Sequence, residues 1–519
     1  MESRLMLGTS AIALGAIEAG ISYATSYPGT PATQILEYIA QNSNVKAEWS
    51  VNEKVAYEVA YGVSLTGKRV LCSMKHVGLN VASDPFITSA YLGVKGGFVL
   101  AIGDDPNAYS SQNEQDSRYY AYFAKIPCFE PADAQEAKDM TKLAFEISEE
   151  LKLPVMIRSI TRLLHCYSPV PLGNRRLENQ LNLEKDPEHM IAIPKHVLKL
   201  HKELNEKQKK INQLIEKYEL NKVIAGEGKK GIIACGISFL YAMEAQEKLP
   251  ILKISAYPIN DSIIKEFVSN LDEVIVLEEG YPLVEQMVRN YHSKVRGKIS
   301  GDFPMEGEIG VDAVMKFLNK CGSQCDTELN KYLLPRPPVL CPGCPHREFY
   351  KALNEAKPNF VSGDIGCYTL GANPPLKSID TCLCMGASIS KASGIASQGV
   401  SRVAAVIGDS TFIHSGIPAL INAVYNKSNI LVCILDNSSV AMTGHQPTPA
   451  TGVTAKGEET KRLDLVELCK ACGADSVEVV DPYDKKSTFE AIQEGLSNPG
   501  TNVIIAKRAC VLVAKKSKK

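Results

Sequence analysis

The chain has 519 residues, enough for about three or four domains. An apolar content of 45%, a charged content of 22% and a formal net charge of −1 fit a large soluble enzyme and give no reason to expect nucleic acid or a strongly charged partner. The 15 cysteines point to a reducing cytoplasm, because a chain of this length needs no disulfide scaffold.

The opening segment, MESRLMLGTSAIALGAIEAGISYATSYPG, holds a run of small apolar residues. Glu2 and Arg4 precede the run, Glu18 interrupts it, and no cleavage-like site follows. It is expected to form an amphipathic first helix, neither a signal peptide nor a membrane span. Strand and helix patterns then alternate to about residue 165, with strands over 70–74 and 97–103 and helices over 53–64 and 133–151. From about 183 to 220 the chain turns charged, with apolar residues every three or four positions. That pattern predicts a solvated amphipathic helix joining two domains in preference to a coiled-coil arm. A third region shows strands at 231–235 and 273–277, and Leu334-Pro335-Arg336-Pro337-Pro338 opens the last. The domain boundaries expected are therefore 1–165, 166–225 (a charged helical linker), 226–328 and 329–519, with no internal repeat.

The most informative stretch lies between Val403 and Gln446. Two apolar runs, 403–407 and 430–435, read as buried parallel strands. The first ends in Gly408-Asp409-Ser410 and the second in Asp436-Asn437-Ser438-Ser439, with Asn437 28 positions after Asp409. Loops at the carboxyl ends of adjacent strands in a doubly wound sheet lie side by side, so Asp409 and Asn437 are expected to face one another. A carboxylate, an amide oxygen and a backbone carbonyl are hard ligands suited to Mg²⁺ that keeps its other positions for phosphate and water. An ordinary nucleotide-binding α/β domain is the bland alternative, since a Gly-Asp turn alone is common.

The first domain carries a second cluster. Tyr27-Pro28-Gly29-Thr30-Pro31 is a turn leading into a helix, where backbone amides can meet a ligand. Glu53 heads the helix-like EKVAYEVAYGVSLTG and follows the only Trp of the chain, Trp49. Ser73-Met74-Lys75-His76-Val77-Gly78 follows a buried strand. Read alone, Glu53 is an acid complementing a helix dipole.

Gly408-Asp409-Ser410 followed by Asn437 resembles the diphosphate-binding motif of thiamine diphosphate enzymes, with Ser410 in place of the second glycine and Asp436 in place of an Asn. Leu435-Asp436, then Thr443-Gly444-His445-Gln446, resembles the 2-oxoacid:ferredoxin oxidoreductase branch. YPGTPAT, EWSVNEKVAYEVAYG, SMKHVGLNVASDP, CPGCPHR and GDIGCYTLG occur in the order found in the alpha subunits of indolepyruvate:ferredoxin oxidoreductases, and the resemblance spans essentially the whole chain. It implies an α/β multidomain thiamine-diphosphate-binding fold of doubly wound parallel sheets. The pyrimidine-binding domain would come first, the diphosphate-binding domain last, and a domain like the transketolase C-terminal domain between them. It also implies that Glu53 relays a proton at the cofactor's aminopyrimidine, with Glu58 and Glu48 next in line. Asp409, Asn437 and the carbonyl of Ser439 would hold Mg²⁺. Tyr27, Pro28, Gly29 and Thr30 would line the cofactor, as would Cys341, Gly343, Cys344 and His346. Asp364, Gly366, Cys367, Tyr368, Gly408 and Ser410 complete that lining. His76 and His414 would act as acid, base or carboxylate-binding groups toward the substrate.

Cys341 and Cys344 have the spacing of half a zinc site, but a structural site wants a second pair of ligands. Cys321/Cys325 and Cys382/Cys384 are spaced differently, and Cys469/Cys472 read as small hydrophobes in a helix. The family typically carries a ferredoxin-like module with C-x₂-C-x₂-C-x₃-C-P runs, and this sequence contains no such run. No iron–sulfur cluster is therefore expected in this chain. Two reactions stay open. One is oxidative decarboxylation of a 2-oxoacid, with an aryl pyruvate such as indolepyruvate as substrate. It would use CoA and pass electrons to ferredoxin, in a cytoplasmic α2β2 assembly with a smaller beta subunit. The other is a cluster-free lyase, decarboxylase or carboligase. A non-catalytic homologue is disfavoured because Glu53, Asp409 and Asn437 are all present.

Overall fold

The continuous apolar runs of the sequence become strands covered on both faces. The computed structural model describes residues 3–245, 248–318, 332, 334 and 338–516. Cys321, Cys325 and the residues Pro335, Arg336 and Pro337 lie outside them. The chain divides into two units, Met1–Leu333 and Leu334–Lys519. No helix among the described residues is long and apolar enough to cross a membrane.

The main sheet of the first unit runs in the order Ala256–Tyr257, Cys128–Phe129, Val155–Ile160, Phe98–Asp104, Val70–Lys75, Tyr23–Ser26, Lys46–Trp49. Its neighbours are parallel except for the Ala256–Tyr257 edge. Val70–Lys75, Phe98–Asp104 and Val155–Ile160 are buried along their whole length, as central parallel strands between helical layers must be. A second, five-stranded sheet runs Val295–Arg296, Glu273–Leu277, Lys230–Cys235, Ile251–Ile254, Lys222–Ile224, with the last strand antiparallel.

The first helix departs from expectation. Ser3–Leu7 is a strand paired with Tyr167–Pro171, and the helix Gly8–Glu18 that follows buries most of its residues instead of one stripe. Its small side chains are the cause. A Cβ on Gly15 would lie 2.4 Å from the Lys138 carbonyl oxygen, so only glycine lets the helix Ala134–Leu151 approach this closely. Glu18, buried at the end, pairs with Lys142 at 2.9 Å. The long charged helix Pro194–Lys217 is amphipathic, and its Leu200, Leu204, Ile211, Leu214 and Ile215 are buried. It packs on Ser83–Leu92 and Ala134–Leu151.

Two fully buried arginines tie the sheets of this unit together. Arg118 donates to Asp116 (2.9 Å), Glu278 (2.9 Å) and the Tyr281 carbonyl (2.8 Å). Arg158 donates to Asp104 (2.8 Å) and to Glu130, which also accepts from the Tyr257 hydroxyl (2.6 Å). Every buried guanidinium is thus matched by carboxylates, the condition under which such charges are tolerated inside a protein.

The second unit holds a five-stranded, wholly parallel sheet, ordered Phe360–Ser362, Val403–Gly408, Ile430–Asp436, Thr501–Lys507, Ser476–Val480. Helices Pro345–Glu355, Ala387–Ala396, Ile417–Tyr425 and Lys485–Ser497 flank it. The loops at its carboxyl edge carry the predicted diphosphate motif.

Candidate active site

Register decides which side chains meet at that edge. Gly408 pairs with Leu435, so the next residues, Asp409 and Asp436, stand side by side, and both are buried. Burial first, and then the charge of Asp436, push the Asp409 carboxyl up to about 8. Its Oδ2 is buried without a hydrogen-bond partner. Two facing carboxylates and an orphaned oxygen form a site that a divalent cation would satisfy, and Mg²⁺ fits the donor set. Sequence reading had assigned Asp436 no role, although its position at the strand end was the available signal.

The Asp436 turn is built from its own side chain. Asp436 Oδ1 accepts from the Ser438 amide (2.9 Å) and hydroxyl (3.1 Å), and Ser438 takes a left-handed φ of 56°. Asn437 Oδ1 accepts from the Ser439 amide at 3.1 Å, and its Nδ2 lies 3.3 Å from His346 Nε2. Burial lowers the His346 imidazole to about 4. The ring is therefore neutral, and Nε2 can accept from Asn437 while Nδ1 carries the proton. The Ser439 carbonyl already accepts from the Ala441 amide at 2.9 Å, which leaves a second lone pair.

Tyr368 shapes the floor. Its hydroxyl donates to the Ile365 carbonyl (2.6 Å) and lies 3.0 Å from Thr411 Oγ1. A Cβ on Gly366 or on Gly408 would lie 2.4 Å from the ring's Cε1. Both glycines are required by this ring. Asp364, expected to line the cofactor, turns both oxygens to backbone amides, those of Ile365, Gly386 and Ser388, each at 2.8 Å. It braces the loop. Ser410 follows Asp409 in a short helical turn, and Phe412–Gly416 forms one π-helical turn, a distortion common at functional sites. That turn carries buried His414, whose Nδ1 is 2.5 Å from Ser415 Oγ.

Cys341 and Cys344 close a turn (Cys344 amide to Cys341 carbonyl, 3.0 Å), with Gly343 at φ 71°, before helix Pro345–Glu355. Burial, then the thiols of Cys344, Cys510 and Cys341, push Cys367 up to about 12. Burial likewise raises Cys344 to about 11, and Cys341 and Cys510 add to it. The charges of Cys341, Cys344 and Cys510 thus reach Cys367, and the Cys510 amide donates to the Asn437 carbonyl at 3.1 Å. Sequence reading missed this convergence, because Cys367 and Cys510 come from distant segments. Among the described residues no three His, Cys, Asp or Glu side chains approach closely enough to hold a single metal ion; a cluster spans a wider space. Cys469 is buried in the helix Leu465–Ala471.

In the first unit, Asn52 caps the helix Glu53–Leu65 through the Val55 amide (2.8 Å). Glu53, its first residue, is buried. A Cβ on Gly78 would lie 2.6 Å from Glu53 Cγ, so Gly78 makes room for this acid. Glu48 is occupied by Tyr23 and Ser50, both at 2.7 Å, and Glu58 is exposed and paired with Lys54. Tyr27 and Pro28 are buried, whereas Gly29 and Thr30 are partly open beside Lys75 and Ser110. His76 is fully buried, with neither ring nitrogen in a well-formed hydrogen bond.

Residues 14–220 match the family described as pyruvate flavodoxin/ferredoxin oxidoreductase, thiamine diP-binding, and residues 364–506 match the thiamine pyrophosphate enzyme C-terminal TPP-binding domain. Indolepyruvate oxidoreductase subunit IorA of Archaeoglobus fulgidus is 43% identical over 99% of this chain and 87% of its own length. The subunit of that name in Thermococcus kodakarensis is 40% identical over 98% and 86%. A solved 2-oxoglutarate:ferredoxin oxidoreductase from Magnetococcus marinus superposes with a TM-score of 0.49 at 16% identity, over 61% of this chain and 65% of that one. With curated relatives 43% and 40% identical over nearly its full length, the chain belongs to the family of indolepyruvate oxidoreductase IorA subunits, the alpha subunits of thiamine-diphosphate-dependent 2-oxoacid oxidoreductases.

Proposed function

We propose that this alpha subunit holds thiamine diphosphate with one Mg²⁺ and converts an aryl 2-oxoacid, such as indolepyruvate, with CoA into acyl-CoA, CO₂, a proton and two electrons. Bound thiamine diphosphate supplies a carbon nucleophile that accepts the charge left by decarboxylation. The observation that carries the reading is the Asp409–Asp436 pair with its orphaned oxygen beside Asn437. Asp409, the Asn437 side chain and the Ser439 carbonyl would hold the metal. Gly408 and Ser410, with the turn 341–347, would flank the diphosphate. Glu53 would exchange a proton at the aminopyrimidine ring. The choice of an aryl substrate follows the names of the relatives.

The four thiols of Cys341, Cys344, Cys367 and Cys510 support a revision of the expectation of a cluster-free chain: they are the ligand number and type of a [4Fe–4S] centre. That centre would take the two electrons one at a time and favours oxidation over the lyase alternative. A smaller beta subunit in an α2β2 assembly, with ferredoxin as acceptor, completes the proposed system. CoA-dependent viologen reduction by the chain with its partner tests the reaction. Iron and sulfide analysis of the wild type and Cys367→Ser, after anaerobic purification, tests the centre. Iron that stays unchanged in the variant would return the reading to a cluster-free enzyme.

A further inference from the structure

The central strands of the first unit end together at Lys75, Asp104 and Ile160, and in parallel sheets ligands bind at such ends. Lys75 is buried, yet Nζ has one close acceptor, the Ser110 carbonyl at 2.6 Å, with Ser110 Oγ at 3.5 Å. An ammonium carries three donors, and among the described residues no carboxylate lies within ion-pair distance of this one. Asp105, whose charge acts on it, is turned to the loop. It accepts from the Ser110 amide (2.9 Å), Ser111 Oγ (2.5 Å) and Thr161 Oγ1 (2.7 Å). The next residue, His76, has both ring nitrogens buried without a well-formed partner. Gly29 packs against Lys75, where a Cβ would come within 3.0 Å of the lysine Cβ. Glu53 rests on Gly78 of the helix His76–Val81.

We propose that Lys75 and His76 form the subsite for the carboxylate of the 2-oxoacid, with Lys75 as the binding cation and His76 as a second donor. This assignment rests on the thiamine reading, because it is the cofactor beside Glu53 that would bring the substrate to this end of the sheet. A buried amine with unused donors beside a buried imidazole that meets the Asn113 backbone outside good hydrogen-bond geometry offers two hydrogen bonds to a planar monoanion. A phosphate dianion, the other anion that CoA or the cofactor could present, would want more donors. A dianion would also meet about twice the repulsion from Asp104 and Asp105, whose charges reach His76, that a carboxylate monoanion meets.

The test is calorimetry on the chain assembled with its partner, Mg²⁺ and thiamine diphosphate. The probes are 3-phenylpropionate and its neutral amide, neither of which can react. The wild type should prefer the acid by about ten- to a hundredfold, the value of one charge-assisted hydrogen bond. Lys75→Met should erase that preference with thiamine diphosphate affinity unchanged, and Lys75→Arg should keep it. A preference that survives in Lys75→Met, or a loss of cofactor affinity in the same variant, overturns the assignment. So does displacement of the acid by CoA but not by phenylpyruvate, which would give the site to a phosphate. Failure of the functional reading shows separately, as absent CoA-dependent viologen reduction in the wild type.

Discussion

Gly408 lies against the edge of the Tyr368 ring, so close that a Cβ there would sit 2.4 Å from Cε1. The ring cannot move aside freely, because its hydroxyl is tied to Ile365 and Thr411. Gly408→Ala should therefore displace the Asp409 turn and cost about 1–3 kcal/mol of stability. Thiamine diphosphate affinity should fall with it. Pairing the change with Tyr368→Leu should recover stability in thermal melts; a double variant no more stable than the single would place the clash elsewhere.

Asp409→Ala removes the carboxylate that faces Asp436. The loss in Mg²⁺-dependent thiamine diphosphate binding should exceed the roughly 10–100-fold typical of a group that only supports a ligand. Calorimetry with and without Mg²⁺ measures it. Equal affinities for variant and wild type would remove Asp409 from the metal site.

Glu53→Gln keeps the size and reach of the side chain but cannot cycle a proton. Hydrogen–deuterium exchange at C2 of the bound cofactor should slow by about two to four orders of magnitude, with cofactor affinity little changed. Glu48 and Glu58 are poor substitutes, one already bonded to Tyr23 and Ser50 and the other exposed. Exchange at the wild-type rate in Glu53→Gln would exclude it as the relay.

Burial lowers the Lys75 ammonium to about 8, against an upward pull from Asp105. The groups around it are Asp104, Asp105, His76 and His165, and burial lowers both imidazoles, so they stay neutral near that pH. Lys75 is charged below about 8 and neutral above it. The kcat/KM for the 2-oxoacid, which reports the free enzyme, should thus fall as pH rises through that value. In Lys75→Arg the fall should vanish, since a guanidinium keeps its proton. A profile identical in both would detach the lysine from substrate binding.

The long parallel strands were legible because burial on both faces writes them as unbroken apolar runs. The runs 403–407 and 430–435 became Val403–Gly408 and Ile430–Asp436 almost residue for residue. Local turns such as 341–344 were legible because neighbours in sequence set them. What could not be read was set by distant partners. The meeting of Cys367 and Cys510 with Cys341 and Cys344 depends on how the loops return to the sheet edge. The first helix was misjudged because alanine and glycine suit a buried surface as well as a half-exposed one. Asp364 looked like a lining group, and only its three backbone amides reveal a brace.

The two-residue strand Ala256–Tyr257 completes the edge of the first sheet beside Cys128–Phe129. Evolution and protein engineers alike trade modules at places where a cut leaves both pieces self-sufficient. A cut before the middle region would strip an edge strand from the first sheet and leave Arg118 facing Asp116 without its second carboxylate, Glu278. Inheritance should therefore have kept the first unit, Met1–Leu333, together as one heritable block, and a chimera that exchanges its middle region alone would need a donor carrying the same short strand and the same acidic partner.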